Sequence, residues 1–233
     1  MSVDLLESGA EALGEIRRDV VFVGGATMTL WITDPAAPPP RPTKDVDVIV
    51  EVATRNAYYR FEDRMRAHGF RDEGNVLCRW IHERNGLILD AMPTDAELLG
   101  FENRWQREAF PHAVERELPS GASIGAVPPA FLLATKIEAF RGRGEGDYLG
   151  SRDFADIVAL VDGREELVDE VREAPAKLQA YVSEGLNLII EKERALDGIY
   201  GQLPPDAASQ GRAEAVVLPR LRELAAGGSP PDG

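Results

Sequence analysis

The chain has 233 residues, 44% hydrophobic and 28% charged, enough to bury one large core or two smaller ones. Its net charge of −14 argues against a protein that coats nucleic acid by bulk electrostatics, and its single cysteine, Cys78, excludes an intrachain disulfide framework or a cysteine-based zinc site. No apolar run approaches the roughly 20 residues of a membrane-crossing helix, and Met1–Arg18 lacks a basic start and a small-residue cleavage site, so no membrane partner and a cytoplasmic location are expected.

Leu5, Leu6, Leu13 and Ile16 mark an amphipathic first helix with Glu7 and Glu11 toward solvent. Val20–Val23 reads as a short buried strand stopped by Gly24 and Gly25, and Ala26–Ile32 as the start of a helix after that turn. Glycines between a strand and a helix suit a tight turn that binds nothing, or close backbone approach to a phosphate. Residues 33–42 carry Pro38, Pro39 and Pro40 and read as a surface loop.

The next strand, Thr43–Val50, holds the most informative residues. Asp45 and Asp47 are two apart, so both carboxylates emerge on one face, with Val46, Val48 and Val50 on the other. Like charges so close repel unless a cation lies between them, and a hard divalent ion such as Mg²⁺ suits carboxylate oxygens. A strand end, with Asp45 in a turn and Asp47 solvated at an edge, is the plainer alternative.

Thr54 is placed to cap a helix running to His68, with Tyr58, Phe61 and Met65 on its apolar face and Gly69 as its stop. Strands over 76–82 and 86–92 follow, joined through Asn85-Gly86, the strongest short hairpin signal. The second carries Asp90, which reads either as a third carboxylate beside Asp45 and Asp47 or as the opening of a turn at Asp90-Ala91-Met92-Pro93. Strand signals fade after Pro111. Pro128-Pro129 opens a helix holding Phe131, Leu132, Leu133 and Lys136, and further helices run from Phe154, Arg164 and Ala174 onward. Lys136 either snorkels to solvent or offers a point charge to a polyphosphate. Residues 227–233, rich in Gly and Pro, are expected to be disordered. His68, His82 and His112 show no metal-binding spacing, and Trp31, Trp80 and Trp105 read as core or interface anchors able to stack a base.

The expected fold is α/β (α+β), a mixed sheet with flanking helices followed by a helical C-terminal domain. The expected division is 1–118, 119–226 and a tail. Charge is uneven: residues 41–84 hold nine Lys/Arg against eight Asp/Glu, and residues 151–200 hold six against twelve.

The motifs Val23-Gly24-Gly25-Ala26-Thr27, Thr43-Lys44-Asp45-Val46-Asp47 and Ile88-Leu89-Asp90 resemble, in order, those of the DNA polymerase β-like nucleotidyltransferase superfamily. Lys136-Ile137-Glu138-Ala139 and Arg152-Asp153-Phe154-Ala155-Asp156 resemble the later motifs of the AbiEii/AbiGii toxin family, to which MenT-type toxins belong. The resemblance spans roughly residues 20–160 and implies a nucleotidyltransferase that moves NMP from an NTP to an acceptor hydroxyl. It assigns Gly24 and Gly25 to the nucleotide phosphates, Asp45 and Asp47 to Mg²⁺, Lys136 to the triphosphate and Asp153 to the later acidic active-site position. Asp90 becomes the third carboxylate. It further implies tRNA 3′ ends as acceptor and a cognate antitoxin as partner. Two departures stand out: the linker between Gly25 and Asp45 is longer than usual, and Ala26 replaces a Ser or Thr, leaving Thr27 to compensate. Overall acidity also suits a cationic acceptor such as an aminoglycoside or lincosamide antibiotic, and a non-catalytic nucleotide-binding protein is the reading from another class.

Overall fold

The computed structural model describes residues 2–52, 54–74, 76, 78–95, 104–143 and 146–227. They divide into two units: residues 1–30 with 42–128, and residues 31–41 with 129–233. The tail expected at 227–233 lies outside the described residues apart from Gly227, which ends the last helix at φ +61°.

In the first unit, strands β1 (Val20–Val23), β2 (Asp45–Val50), β3 (Phe70–Asp72), β4 (Arg79–His82), β5 (Ile88–Pro93), β6 (Val114–Glu117) and β7 (Ser123–Ala126) form one mixed sheet. Its order is β3-β4-β5-β2-β1-β7-β6. β2 is central, antiparallel to β1 and parallel to β5. That position explains its sequence: Val46 and Val48 are fully buried, Val50 nearly so, and the carboxylates of the opposite face are only half-buried. Helix α1 (Ser2–Leu13) covers the valine face, where Gly9 faces Val46 and Phe22. The amphipathic pattern runs on to Ile16, but Gly14 takes φ +53° and the chain tightens into a 3₁₀ turn over Gly14–Arg18.

Helix α2 (Arg55–Ala67) begins as the sequence predicts, the Thr54 hydroxyl accepting from the Ala57 N–H at 3.2 Å, and Gly69 follows it at φ +81°. The Asn85-Gly86 hairpin is present, with Gly86 at φ +70° and the Leu87 N–H donating to Asn85 Oδ1. The first hairpin strand is shorter than expected because Cys78 adopts φ +64°, unusual for a residue with a Cβ, and β4 starts only after it. Burial pushes the Cys78 thiol up to about 11.

Three strands go beyond the expected set. β3 continues from Gly69, and β6 and β7 lie where strand signals fade, with β7 past residue 118 and parallel to β1. β6 is an edge strand of mostly exposed residues and shows no alternating apolar pattern to read. A short helix, α3 (Arg104–Ala109), buries Trp105.

The second unit is helical: α4 (Pro129–Arg143), α5 (Arg152–Gly163), α6 (Leu167–Glu173), α7 (Ala176–Ile190), α8 (Ala195–Gln202), α9 (Ala207–Arg212) and α10 (Leu218–Ala226). α4 is buried on nearly every side, as befits the central helix of a bundle. It meets α7 at Gly185, where an added Cβ would lie 2.5 Å from Ile137 Cγ2. Phe140, Tyr148 and Phe154 cluster edge-on and tilted between α4 and α5, with ring centroids 4.9–5.2 Å apart. α5 is fixed at both ends. Ser151 caps its start, and Arg220 donates to the Val161 and Asp162 carbonyls at its last turn. No helix among the described residues is long and apolar enough to cross a membrane.

Candidate active site

In the first unit the register aligns a row of side chains across the sheet. Arg79 of β4 lies opposite Asp90 of β5, Asp90 opposite Asp47 of β2, and Asp47 opposite Val23 of β1. Gly24 follows Val23 at φ +81°, and a Cβ there would run into the Asp47 carboxylate, 2.7 Å from its Cγ. The glycine is therefore required twice, by the backbone conformation and by the acid beside it. Gly24→Ala is expected to displace Asp47 and to cost most of any activity that depends on it, which comparing turnover with the thermal midpoint checks.

Gly25 opens a 3₁₀ turn over Gly25–Leu30 rather than the α-helix expected from Ala26. Thr27 helps to shape it: its hydroxyl is fully buried and donates to the Gly24 carbonyl at 2.9 Å. The structure thus gives Thr27 an internal partner. Asp45 is oriented by the Thr43 hydroxyl, which donates to Oδ1 at 2.6 Å.

A cation does lie among these carboxylates, and it is an arginine. Arg79 donates to Asp90 through Nε at 2.8 Å and Nη2 at 2.7 Å, and Nη2 also comes within 3.5 Å of Asp45 Oδ2. Glu73 stands 4.0 Å away. The Asp90 hydrogen bonds hold the guanidinium protonated well beyond its ordinary range, against a smaller opposing effect of burial. Asp90 is therefore not a solvated turn residue: it lies within β5 and both of its oxygens meet Arg79. No group of three or more His, Cys, Asp or Glu side chains among the described residues is arranged to hold an ion. Asp45 and Asp47 fit a single hard divalent cation: they are neighbours on one strand face, half-exposed, one braced by Thr43 and the other given room by Gly24.

The second unit contains a buried charge cluster. Lys136 does not snorkel: it is 8% exposed, with Nζ 2.6 Å from Asp156 Oδ2 and 3.4 Å from Asp153 Oδ1. Asp153 and Asp156 stand three apart on α5 and so share a face. Asp156 is 1% exposed and also meets Arg41, at 2.9 Å to Nε and 3.0 Å to Nη2. Arg143 grips Asp153 with two bonds, of 2.8 Å and 3.1 Å. Arg41, Asp156, Arg143 and Arg79 are the members of these clusters that the sequence reading did not place. Only Arg79 had a local signal, an arginine in an apolar strand facing Asp90 across a hairpin.

Burial alone would raise the Asp153 carboxyl, but the Arg143 hydrogen bonds and the Lys136 and Arg143 charges outweigh it and hold the carboxyl below its ordinary 3.8. A lowered folded value means that the ionised form stabilises the fold at pH above 3.8, and that this contribution is lost as pH falls through the folded value. Asp153→Asn is expected to flatten the acid limb of a stability–pH curve below pH 3.8, measured by chemical denaturation in a pH series.

The expected core role of the tryptophans holds: Trp31, Trp80 and Trp105 are at most 2% exposed, beyond reach of a base. No curated protein compared with the chain matches it. A family model does, described as nucleotidyl transferase AbiEii toxin, type IV toxin–antitoxin system, over residues 9–219. That match runs through both units and through every motif described above, and the chain belongs to the AbiEii family of nucleotidyl transferase toxins.

Proposed function

We propose that the chain transfers NMP from an NTP to the 3′-terminal hydroxyl of tRNA in a Mg²⁺-dependent reaction, with arrest of growth as the outcome and a cognate antitoxin as counterpart. The observation that carries this reading is the Asp45–Asp47 pair, held on one face of the central strand beside a glycine whose only tolerable side chain is none. Family membership supplies the NTP donor; the motif resemblance supplies tRNA.

Asp45 and Asp47 would hold Mg²⁺, which neutralises charge on the triphosphate. Thr43 keeps Asp45 turned to that task, and Gly24 keeps the space Asp47 occupies. Gly24 and Gly25 approach the phosphates through their backbone, with Thr27 shaping the turn from beneath. The acceptor hydroxyl releases its proton to solvent as its oxygen bonds to the α-phosphorus, the bond from that phosphorus to the bridging oxygen breaks, and pyrophosphate leaves with the β- and γ-phosphates. Little else is asked of the protein than position and charge. By the resemblance, Lys136 contacts the triphosphate and Asp153 fills the later acidic position. Arg41 and Arg143 add two further positive charges to that cluster.

A panel offering bulk tRNA, aminoglycosides and lincosamides in parallel, each with the four NTPs, tests the acceptor. Label in tRNA alone is expected. Label in an antibiotic alone would replace the tRNA reading with the one that the net charge of −14 favours.

A further inference from the structure

The carboxylate row of the first unit already contains a permanent cation. Arg79 faces Asp90 directly across the β4–β5 pair and takes both of its oxygens. The same guanidinium leans over the next strand to within 3.5 Å of Asp45 Oδ2, while the other oxygen of Asp45 is occupied by Thr43. A cross-strand ion pair at a sheet surface is ordinary and contributes little to stability. This one differs in reaching a third strand and one of the two carboxylates read as metal ligands. A fork with two bonds to Asp90 and a third contact to Asp45 holds those two acids much as a bridging ion would.

We propose that Arg79 sets the metal stoichiometry of this site at one, by keeping Asp90 from coordination and by competing with the divalent ion for Asp45. The inference rests on the reading of Asp45 and Asp47 as metal ligands. It assigns Asp90 a role through Arg79 rather than on the metal. It also assigns Arg79 a penalty on metal affinity, since a fixed positive charge a few ångströms from an incoming dication repels it. At 3.5 Å from Asp45, even strongly screened repulsion corresponds to about tenfold in affinity.

Titration of the full chain with Mn²⁺, counting bound and free ion by electron paramagnetic resonance, tests this without reference to activity. Wild type is expected to bind one ion, and Asp45→Asn/Asp47→Asn none. Arg79→Gln is expected to bind Mn²⁺ about tenfold tighter or to take up a second ion, and Arg79→Gln/Asp90→Asn to return to one ion. Asp90→Asn alone frees Arg79 to lean on Asp45 and is expected to weaken binding several-fold; this variant decides the matter if Arg79→Gln does not fold. Two ions in wild type, or unchanged binding in both Arg79→Gln and Asp90→Asn, would overturn the role of Arg79 while leaving the Asp45–Asp47 pair intact. Binding that survives Asp45→Asn/Asp47→Asn would instead overturn the metal reading beneath it.

Discussion

Asp47→Asn is expected to lower nucleotidyl transfer by about 10³-fold while leaving the thermal midpoint close to wild type. The substitution removes a charge and no volume, so Val46 and Val48 keep β2 in place on the opposite face. What disappears is half of the charge available to hold a divalent ion, and with it several kcal/mol of transition-state stabilisation. Pyrophosphate release together with thermal unfolding measures both quantities on one sample. Equal loss of activity and of fold would show instead that Asp47 matters to the sheet, through its place between Val23 and Asp90.

The second large effect is on stability. Asp156→Ala is expected to destabilise the second unit by about 3 kcal/mol, because it takes from a buried ammonium its nearer carboxylate, leaving Asp153 at 3.4 Å, and from Arg41 its acidic partner. Lys136 loses its 2.6 Å partner, and Arg41 loses both contacts of its guanidinium. The size follows from burial rather than from the number of ion pairs. Arg18→Ala, which breaks a pair with Glu15 whose side chains are 69% and 71% exposed, is expected to change stability by under about 0.5 kcal/mol. Urea unfolding of the two variants beside wild type reads the contrast.

The parts of this structure that the sequence made legible are those decided by a few neighbouring residues. The period-two pattern of β2 placed two acids on one face, Thr54 and Gly69 bounded α2, and Asn85-Gly86 marked the hairpin. The hidden parts depend on pairing over distance. β6 has no apolar alternation because it lies at an edge and faces solvent, and β7 is four residues long with a glycine inside it. Lys136 looked free to snorkel because the aspartates that bury it lie 17 and 20 positions on, and Arg41 reaches Asp156 across 115. Arg79 was closest to being readable. Counting back from the hairpin turn sets it opposite Asp90, but the positive φ of Cys78 hides where the strand begins. A cation among the carboxylates was the right physical demand; the sequence did not say that the chain carries one itself.

On this reading NMP transfer takes place at the Asp45–Asp47 face of β2. Incubating wild type and Asp45→Ala/Asp47→Ala with bulk tRNA, Mg²⁺ and each α-labelled NTP tests it most directly. Labelled tRNA is expected with wild type for at least one NTP, and none with the folded double variant. Equal labelling by a well-folded double variant would contradict it.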